Sequence, residues 1–150
     1  MPKTVLSNNS AKPTINERAD AAAQELARRY DVLNTQFTAA EERLKALRPI
    51  YDVWVYYNHS QEGYGSATYY EALGLHKAEL KWRLVHAIGS DSDEEGFREI
   101  KPIIECSVEV RLQAAKQVRM LHEEIVKQKE ALVSTVEEAI NELTGYCAEI

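Results

Sequence analysis

Three features of the sequence predict an all-α fold of long antiparallel helices, packed as a coiled-coil-like three- to four-helix bundle. Apolar residues in the first third recur at steps of three and four, the spacing of one helix face. The last third repeats this spacing from Ile104 to Leu143. The 150 residues include only six glycines and four prolines, too few for an architecture with many turns. A second chain could complete such a bundle.

A first helix is predicted over residues 15–47, after a disordered tail over residues 1–13. Thr14 and Glu17 form a capping box, in which the Thr14 hydroxyl accepts a hydrogen bond from the Glu17 amide. Pro49 then ends or kinks the helix. The apolar face follows a heptad seam. Four of its residues are predicted to form an oligomer seam: Leu33, Phe37, Leu44 and Leu47.

The segment from Ile50 to Tyr57 is compatible with two structures. Its side chains have high β propensity, yet they also place apolar residues on one face of a short helix. We favour the helix because the flanking segments are predicted to be helical. The alternative is a hairpin that pairs residues 50–57 with residues 64–70 across a polar loop.

Two further helices are predicted, over residues 67–88 and 102–144, on either side of an acidic loop over residues 90–96. Pro102 suits the first turn of the last helix, and Gly145 suits its end. The last helix would span about 60 Å, which the shorter middle helix cannot cover. We therefore favour a homodimer over an exposed seam.

Composition bounds the class of protein. Residues 14–150 are long enough to form a single helical domain. No run of apolar residues is long enough for a membrane span, and residues 1–10 lack the apolar segment of a secretory signal. Cys106 and Cys147 fall in one predicted helix, about 60 Å apart, which is too far for a disulfide. We expect a cytoplasmic protein that does not bind membranes.

Charge is uneven along the chain. The net charge is −6, and residues 91–150 hold seven basic and fourteen acidic side chains. From Glu130 onward there are five acids and neither lysine nor arginine. The excess is compatible with a solvated helix face or with a surface that meets a basic partner. Basic clusters elsewhere are interleaved with acids, so nucleic acid is not the expected partner.

Aromatic residues concentrate around a loop of asparagine, histidine, serine, glutamine and glycine. Tyrosine and tryptophan offer a large contact area at low entropic cost, and the small polar residues offer adaptable hydrogen bonds. The same residues also fit a small aromatic core that closes one end of the bundle. The predicted partner-binding residues are Trp54, Tyr56, Tyr57, His59, Tyr64, Tyr69 and Tyr70.

Metal and catalytic motifs are weak. Asp91 to Gly96 begins like a calcium-binding loop, but Arg98 and Pro102 replace the apolar residue and the bidentate glutamate that the pattern requires. The chain has neither a His-Glu-x-x-His motif nor a Glu-x-x-His pair. His76, on the apolar stripe of the middle helix, is expected to be a core residue. We predict no metal, no cofactor and no enzymatic activity.

These observations predict a non-enzymatic helical protein that binds another macromolecule, preferably a protein, and regulates or inhibits it. Small acidic helical proteins without catalytic motifs include inhibitors carried by mobile elements, an analogy between classes only. One alternative is a coiled-coil scaffold component that acts through its oligomer seam. A second alternative is a nucleic-acid-binding protein.

Overall fold

The structure is a computed structural model that describes residues 11–61, 68–91 and 96–149. These residues form helices and a four-stranded antiparallel sheet in the order β1-β2-β3-β4, so the prediction of an all-α, coiled-coil-like bundle is wrong. The elements in chain order are α1 (Ile15–Lys45), β1 (Val53–Gln61), β2 (Thr68–Ala78), β3 (Lys81–Ser90), β4 (Glu99–Pro102), a 3-10 turn (Ile103–Glu105), α2 (Val108–Ala115) and α3 (Val118–Ala148).

Helix α1 confirms the predicted first helix to within two residues. The Thr14 Oγ1 atom accepts a hydrogen bond from the Glu17 amide at 3.1 Å, as the capping box predicts. The chain divides into two compact units, the first ending at Gln36 and the second beginning at Phe37. In the first unit, helix residues 15–29 are exposed. The predicted tail lies mostly outside the described residues.

The hairpin alternative gives the right secondary structure but the wrong partner residues, since residues 53–57 pair with residues 71–75 and not with residues 64–70. Strand β1 replaces the short helix that we favoured over residues 50–57. It pairs antiparallel with β2, with Val53 opposite Leu75 and Gln61 opposite Thr68. The segment is a strand because buried and exposed side chains alternate along it. Val53 and Val55 are 1% and 4% exposed, whereas Tyr56 is 49% exposed. A strand separates neighbouring residues in this way, and a helix does not.

The predicted helix over residues 67–88 is also wrong, because this segment forms the hairpin of β2 and β3. Glu79 and Leu80 connect the strands with φ angles of 51° and 69°. Positive φ at both positions is typical of a two-residue type I′ turn, where glycine or asparagine is normally found. Each strand contains four consecutive buried residues, the pattern of a central strand covered on both faces.

The predicted helix over residues 102–144 is divided into several elements. Strand β4 and the 3-10 turn come first, and the Ser107 hydroxyl then caps α2 by accepting a hydrogen bond from the Val110 amide at 3.4 Å. Helix α3 starts at Val118 and continues through Gly145, which does not end it. It packs against β1 and β2 through its buried residues Leu121 and Ile125. In the described residues, no helix has both the length and the apolar character that a bilayer span requires.

The end of α1 that belongs to the second unit is attached to the sheet by a carboxylate. Glu41 Oε2 accepts a hydrogen bond from the Leu84 amide at 2.7 Å and lies 3.5 Å from Arg83 Nε. Strand β4 pairs with β3 only between Val85 and Ile88, so the Leu84 amide lies just past the end of this pairing. The Glu41 carboxylate therefore satisfies a strand amide that β4 does not reach.

We expect Glu41→Ala to lower the free energy of unfolding by about 1–3 kcal/mol, because it leaves the half-buried Leu84 amide without its acceptor. Urea denaturation measures this change. The matched control is Glu42→Ala, which removes only an exposed ion pair with Lys45 and is expected to cost less than about 1 kcal/mol. Equal losses in the two variants would contradict the role of Glu41.

Candidate functional site

Alternation along β1 gives the sheet two different faces. Val53, Val55 and Tyr57 are buried, and Val53 lines a small cavity together with Ile125 of α3. These side chains therefore point toward the helices. The side chains between them, including Tyr56, point to the opposite face. Strand β1 therefore contributes side chains both to the core and to the opposite surface of the sheet.

Four rings form a cluster on this opposite surface, which we call the aromatic face: Trp54, Tyr56, Tyr70 and Phe97. The Phe97 ring centroid lies 4.4 Å from that of Trp54 and 6.0 Å from that of Tyr56. Tyr56 and Tyr70 meet edge to face at 5.3 Å. The Tyr56 and Phe97 rings are stacked, and the Trp54 and Phe97 rings are tilted. Offset-stacked and edge-to-face contacts are favourable for aromatic pairs. Tyr56 is exposed and the other three rings are half-buried, so the cluster presents rings to solvent.

Two glycines allow the rings to lie close to the sheet. Trp54 is paired across the strands with Gly74, and a Cβ atom at Gly74 would lie 2.2 Å from the Trp54 ring. Tyr70 is paired with Gly89, where a Cβ atom would lie 3.0 Å from the tyrosine hydroxyl oxygen. Aromatic side chains that cover cross-strand glycines in this way protect the backbone and fix the register of the strands.

A groove adjoins the aromatic face and shares Tyr70 with it. Its volume is about 490 Å³, within the range typical of ligand-binding pockets. The Arg98 guanidinium lies 5.3 Å from the centroid of the Tyr69 ring, and the Arg98 amide donates to the Ile88 carbonyl at 2.8 Å. The groove is lined by Asn58, His59, Ser60, Tyr69, Tyr70, Glu71, Ile88, Gly89 and Arg98.

A polar network includes Asn58 and Glu71, two of the residues that line the groove. Glu71 Oε1 lies 3.1 Å from His86 Nε2, and the other Glu71 oxygen accepts a hydrogen bond from Asn58. The Asn58 amide also donates to Gln113 Oε1 of α2 at 3.2 Å. Asn58 has a φ of 52°, a conformation that asparagine tolerates better than most residues. The register of β1 shifts between Tyr57 and Ser60, so the strand has a β-bulge where it lines the groove.

Tyr57 and Cys106 are poorly suited to act as a base or a nucleophile. The Tyr57 hydroxyl is buried without a hydrogen-bond partner among the described residues. Burial, the Glu71 carboxylate and the Cys106 thiol together raise the pKa of Tyr57 above its ordinary value of about 10. Burial likewise raises the pKa of the Cys106 thiol. Both groups stay protonated at neutral pH, whereas a reactive cysteine requires its thiolate form.

The structure separates the predicted partner-binding residues into distinct environments. Trp54, Tyr56 and Tyr70 form the aromatic face together with Phe97, while His59, Tyr69 and Tyr70 line the groove. Tyr57 lies on the helix side of the sheet, buried and 6.4 Å from the His86 ring. Tyr64 lies outside the described residues.

Sequence reasoning missed several residues of the site. Phe97, Arg98 and Glu71 were not identified as binding residues, although Phe97 contacts three of the rings. The alternation of valine with aromatic residues over 53–57 was the one sequence signal that this strand has a buried side and an aromatic side. His76, predicted to be a core residue, is half-buried and bonds to the Asp52 carboxylate, with its ring 5.7 Å from that of Trp54.

The four residues of the predicted oligomer seam differ in how far they are buried. Phe37 and Leu44 are 3% and 1% exposed, so their side chains are already covered within the chain. Leu33 and Leu47 are half-buried. A homodimer through these residues stays a prediction. For metals, the described residues contain no group of three or more histidine, cysteine or acidic side chains that could hold an ion, and part of the acidic loop lies outside them.

Comparison of the chain with protein families, with curated proteins and with solved structures found no match. The function must therefore be argued from the site itself.

We expect Gly74→Ala to lower the free energy of unfolding by about 1–3 kcal/mol, because the new methyl group would overlap the Trp54 ring. The control is Gly145→Ala in α3, where a Cβ atom meets nothing within 4 Å. This control should leave stability unchanged or raise it by up to about 1 kcal/mol. Urea denaturation followed by tryptophan fluorescence distinguishes the two. A Gly74→Ala variant as stable as the wild type would show that Trp54 does not lie on Gly74.

We expect Tyr57→Phe to keep or raise the free energy of unfolding at pH 7, by up to about 1–2 kcal/mol, because it removes a buried hydroxyl that has no partner. The pH dependence should change as well. The raised pKa means that the unfolded chain releases the phenol proton first, so wild-type stability falls as the pH rises above about 10.

The Tyr57→Phe variant should lose less stability over this alkaline range, which denaturation at several pH values measures. Tyr56→Phe is the matched control, because its hydroxyl lies on an exposed residue and should not alter the alkaline profile. An identical alkaline loss in the wild type and in Tyr57→Phe would contradict the burial of this phenol.

Proposed function

We propose that this chain is a non-enzymatic protein that binds another protein through the aromatic face and the adjoining groove, and regulates or inhibits that partner. The observation that carries the proposal is the exposure of Tyr56, 49%, within a cluster of four rings on the side of the sheet opposite α3. A ring cluster that served only as core would have its central members buried.

The composition of the surface supports a protein partner. Tyrosine, tryptophan and arginine are the residues most enriched among those that dominate binding energy at protein interfaces. Here Trp54, Tyr56 and Tyr70 are held by cross-strand pairing and by their mutual contacts. They would lose little conformational freedom when a partner binds, so more of the contact energy contributes to affinity.

The groove supplies a place for one anchoring side chain of the partner. It is continuous with the aromatic face through Tyr70, and its lining combines rings with the polar groups of His59, Ser60 and Asn58. The lining is therefore largely polar, and its oriented polar groups could select one side chain of the partner by hydrogen bonding. Strand β1 is also an edge of the sheet, beside which an extended segment could lie.

The net charge supports a protein partner over nucleic acid, and the two cysteines support a cytoplasmic location. A net charge of −6 opposes binding to a phosphate backbone, which makes nucleic acid a weaker candidate than protein. Cys106 and Cys147 are both free thiols. We accordingly place the protein in a reducing compartment, the cytoplasm.

The test is affinity capture from a lysate of the source cell, with Tyr56→Thr compared with the wild type. Threonine keeps β propensity while removing the exposed ring, so we expect an unchanged circular dichroism spectrum and a loss of the captured partner of about tenfold or more. The control is Tyr51→Thr, which removes a tyrosine that is 60% exposed and is not part of the ring cluster.

Capture by the wild type and by Tyr51→Thr, but not by Tyr56→Thr, would support the proposal. A partner retained equally by all three proteins would overturn the assignment of the aromatic face. A captured partner that is nucleic acid, released steeply by salt, would instead favour the weaker candidate.

A further inference from the structure

The two edges of the sheet differ in their protection against pairing with another strand. Strand β4 is four residues long, carries Glu99 and Lys101, and ends at Pro102, which has no amide hydrogen to donate. Strand β1 is nine residues long and contains neither a charged residue nor a proline. Short length, charge and proline are the usual features that stop an edge strand from pairing with another chain. Only the bulge after Tyr57 interrupts β1, so residues 53–57 form a regular, unprotected edge.

Hydrogen bonds of β3 show toward which edge of the sheet its main-chain groups point. The Leu84 amide donates to the Glu41 carboxylate, and the Ile88 carbonyl accepts from the Arg98 amide at 2.8 Å. Neither group is therefore directed at β2. Because the direction of these groups alternates along an antiparallel strand, every second residue from Leu84 to Ile88 points its main-chain groups away from β2.

The same alternation identifies the main-chain groups at the open edge of β1. Leu75 of β2 lies opposite Leu84, so Leu75 and every second residue of β2 point toward β1 and bond to it. The Lys77 amide follows this pattern, because it donates at 2.9 Å to the Asp52 carboxylate next to β1.

The β1 residues between those bonded to β2 are Trp54 and Tyr56, whose N–H and C=O groups consequently point outward from the sheet. Strand β2 is the one neighbour of β1 in the sheet. Among the described residues, no other backbone group bonds to Trp54 or Tyr56. The open edge thus presents a short row of unpaired donors and acceptors.

We propose that two copies of this chain pair through their β1 strands, antiparallel and about a two-fold axis at Val55, so that their two sheets become one. This register places Trp54 of each copy opposite Tyr56 of the other. Both residues point their main-chain groups outward, so each such pair exchanges two hydrogen bonds, and the symmetry makes the pair twice.

Side chains of β1 complement themselves in this register. On the aromatic face, Trp54 lies opposite Tyr56. On the helix side, Val53 lies opposite Tyr57, and Val55 lies opposite its own copy. Aromatic pairs, and pairs of an aromatic with a β-branched residue, are among those that stabilise antiparallel strands. An axis at Val55 also pairs the whole regular segment, residues 53–57, with itself.

Charge favours a second copy over a strand of another protein. The one carboxylate beside the segment, Asp52, lies opposite Asn58 of the second copy, so no like charges meet. A partner strand that carried lysine or glutamate would gain no ion pair from β1, which is uncharged. The matching strand is therefore neutral, rich in β-branched and aromatic residues, and present at equal concentration, as a second copy of β1 is.

This pairing does not rest on the function proposed for the aromatic face. It uses the main-chain atoms of Trp54 and Tyr56, whereas the proposed partner contacts their rings. In an antiparallel pair about this axis, the aromatic faces of both copies lie on the same side of the joined sheet, where a partner can still approach them. Either proposal can therefore fail alone.

Sedimentation equilibrium of the full chain, from about 1 μM to about 1 mM, measures the pairing. The test compares Tyr56→Pro with Tyr56→Thr, because both remove the ring but only proline removes the outward N–H group. Proline is tolerated at an edge position whose N–H faces solvent. We expect the wild type to form a dimer, and Tyr56→Pro to have a dissociation constant about tenfold or more above that of Tyr56→Thr.

Amide hydrogen exchange of the wild type, followed by nuclear magnetic resonance, tests the same bonds without a substitution. Where the dimer dominates, we expect the Trp54 and Tyr56 amides to exchange about tenfold or more slowly than in unstructured peptides. In Tyr56→Pro the Trp54 amide should lose this protection, while the Val55 amide, bonded to β2, should keep it. Circular dichroism verifies that each variant is folded.

Three results would overturn the proposal. The first is a wild type that stays monomeric up to about 1 mM. The second is equal dissociation constants for Tyr56→Pro and Tyr56→Thr, which would place the dimer contact elsewhere, for example at Leu33 and Leu47 of the predicted oligomer seam. The third is a dimer in which the Trp54 amide exchanges as fast as in an unstructured peptide. Tyr56→Thr that loses the captured partner but stays dimeric would support both proposals separately.

Discussion

The rest of the structure depends on the alternation of side chains along β1. Val53, Val55 and Tyr57 extend the core toward α3, while Trp54 and Tyr56 form the other surface of the same strand. Because a strand has a period of two, a shift of one residue would place the rings in the core and the valines in solvent. The fold and the candidate site therefore rest on the same register.

The aromatic rings can lie against the sheet because they are paired with small residues of β2 and β3. Gly74 and Gly89 leave space that the rings of Trp54 and Tyr70 fill, so aromatic side chains cover the sheet on the side opposite α3. Central strands require cover on both faces, and their consecutive buried residues show that they have it. A helix covers one face and a ring cluster covers the other, which leaves a ring such as Tyr56 available to a partner.

The sequence predicts the parts of this structure that have strong local signals. The capping box at Thr14 and the long apolar periodicity identified α1, and aromatic composition identified most of the rings of the site. The hairpin of β2 and β3 was not predictable in the same way, because Glu79 and Leu80 adopt positive φ angles without the usual glycine or asparagine. Its apolar residues also happen to fit helical spacing, so only pairing with the flanking strands decides the structure.

Other features depend on contacts between distant residues. The side of the sheet on which Tyr57 lies follows from register, not from composition. Phe97 joins Trp54 and Tyr56 only once the chain between β3 and β4 is in place. The break between α2 and α3 at Lys116 and Gln117 contains neither proline nor glycine, so no local signal indicated it. Tertiary packing overrides local preference at each of these positions.

Photochemically induced dynamic nuclear polarisation tests the central claim most directly, because a photoexcited flavin polarises only those tyrosine and tryptophan rings that it can touch. We expect a strong signal from Tyr56, 49% exposed on the aromatic face, and none from Tyr57, 8% exposed on the helix side. A bound partner should then suppress the Tyr56 signal. A polarised Tyr57 with a silent Tyr56 would show that β1 has the opposite register and would contradict both the fold and the site.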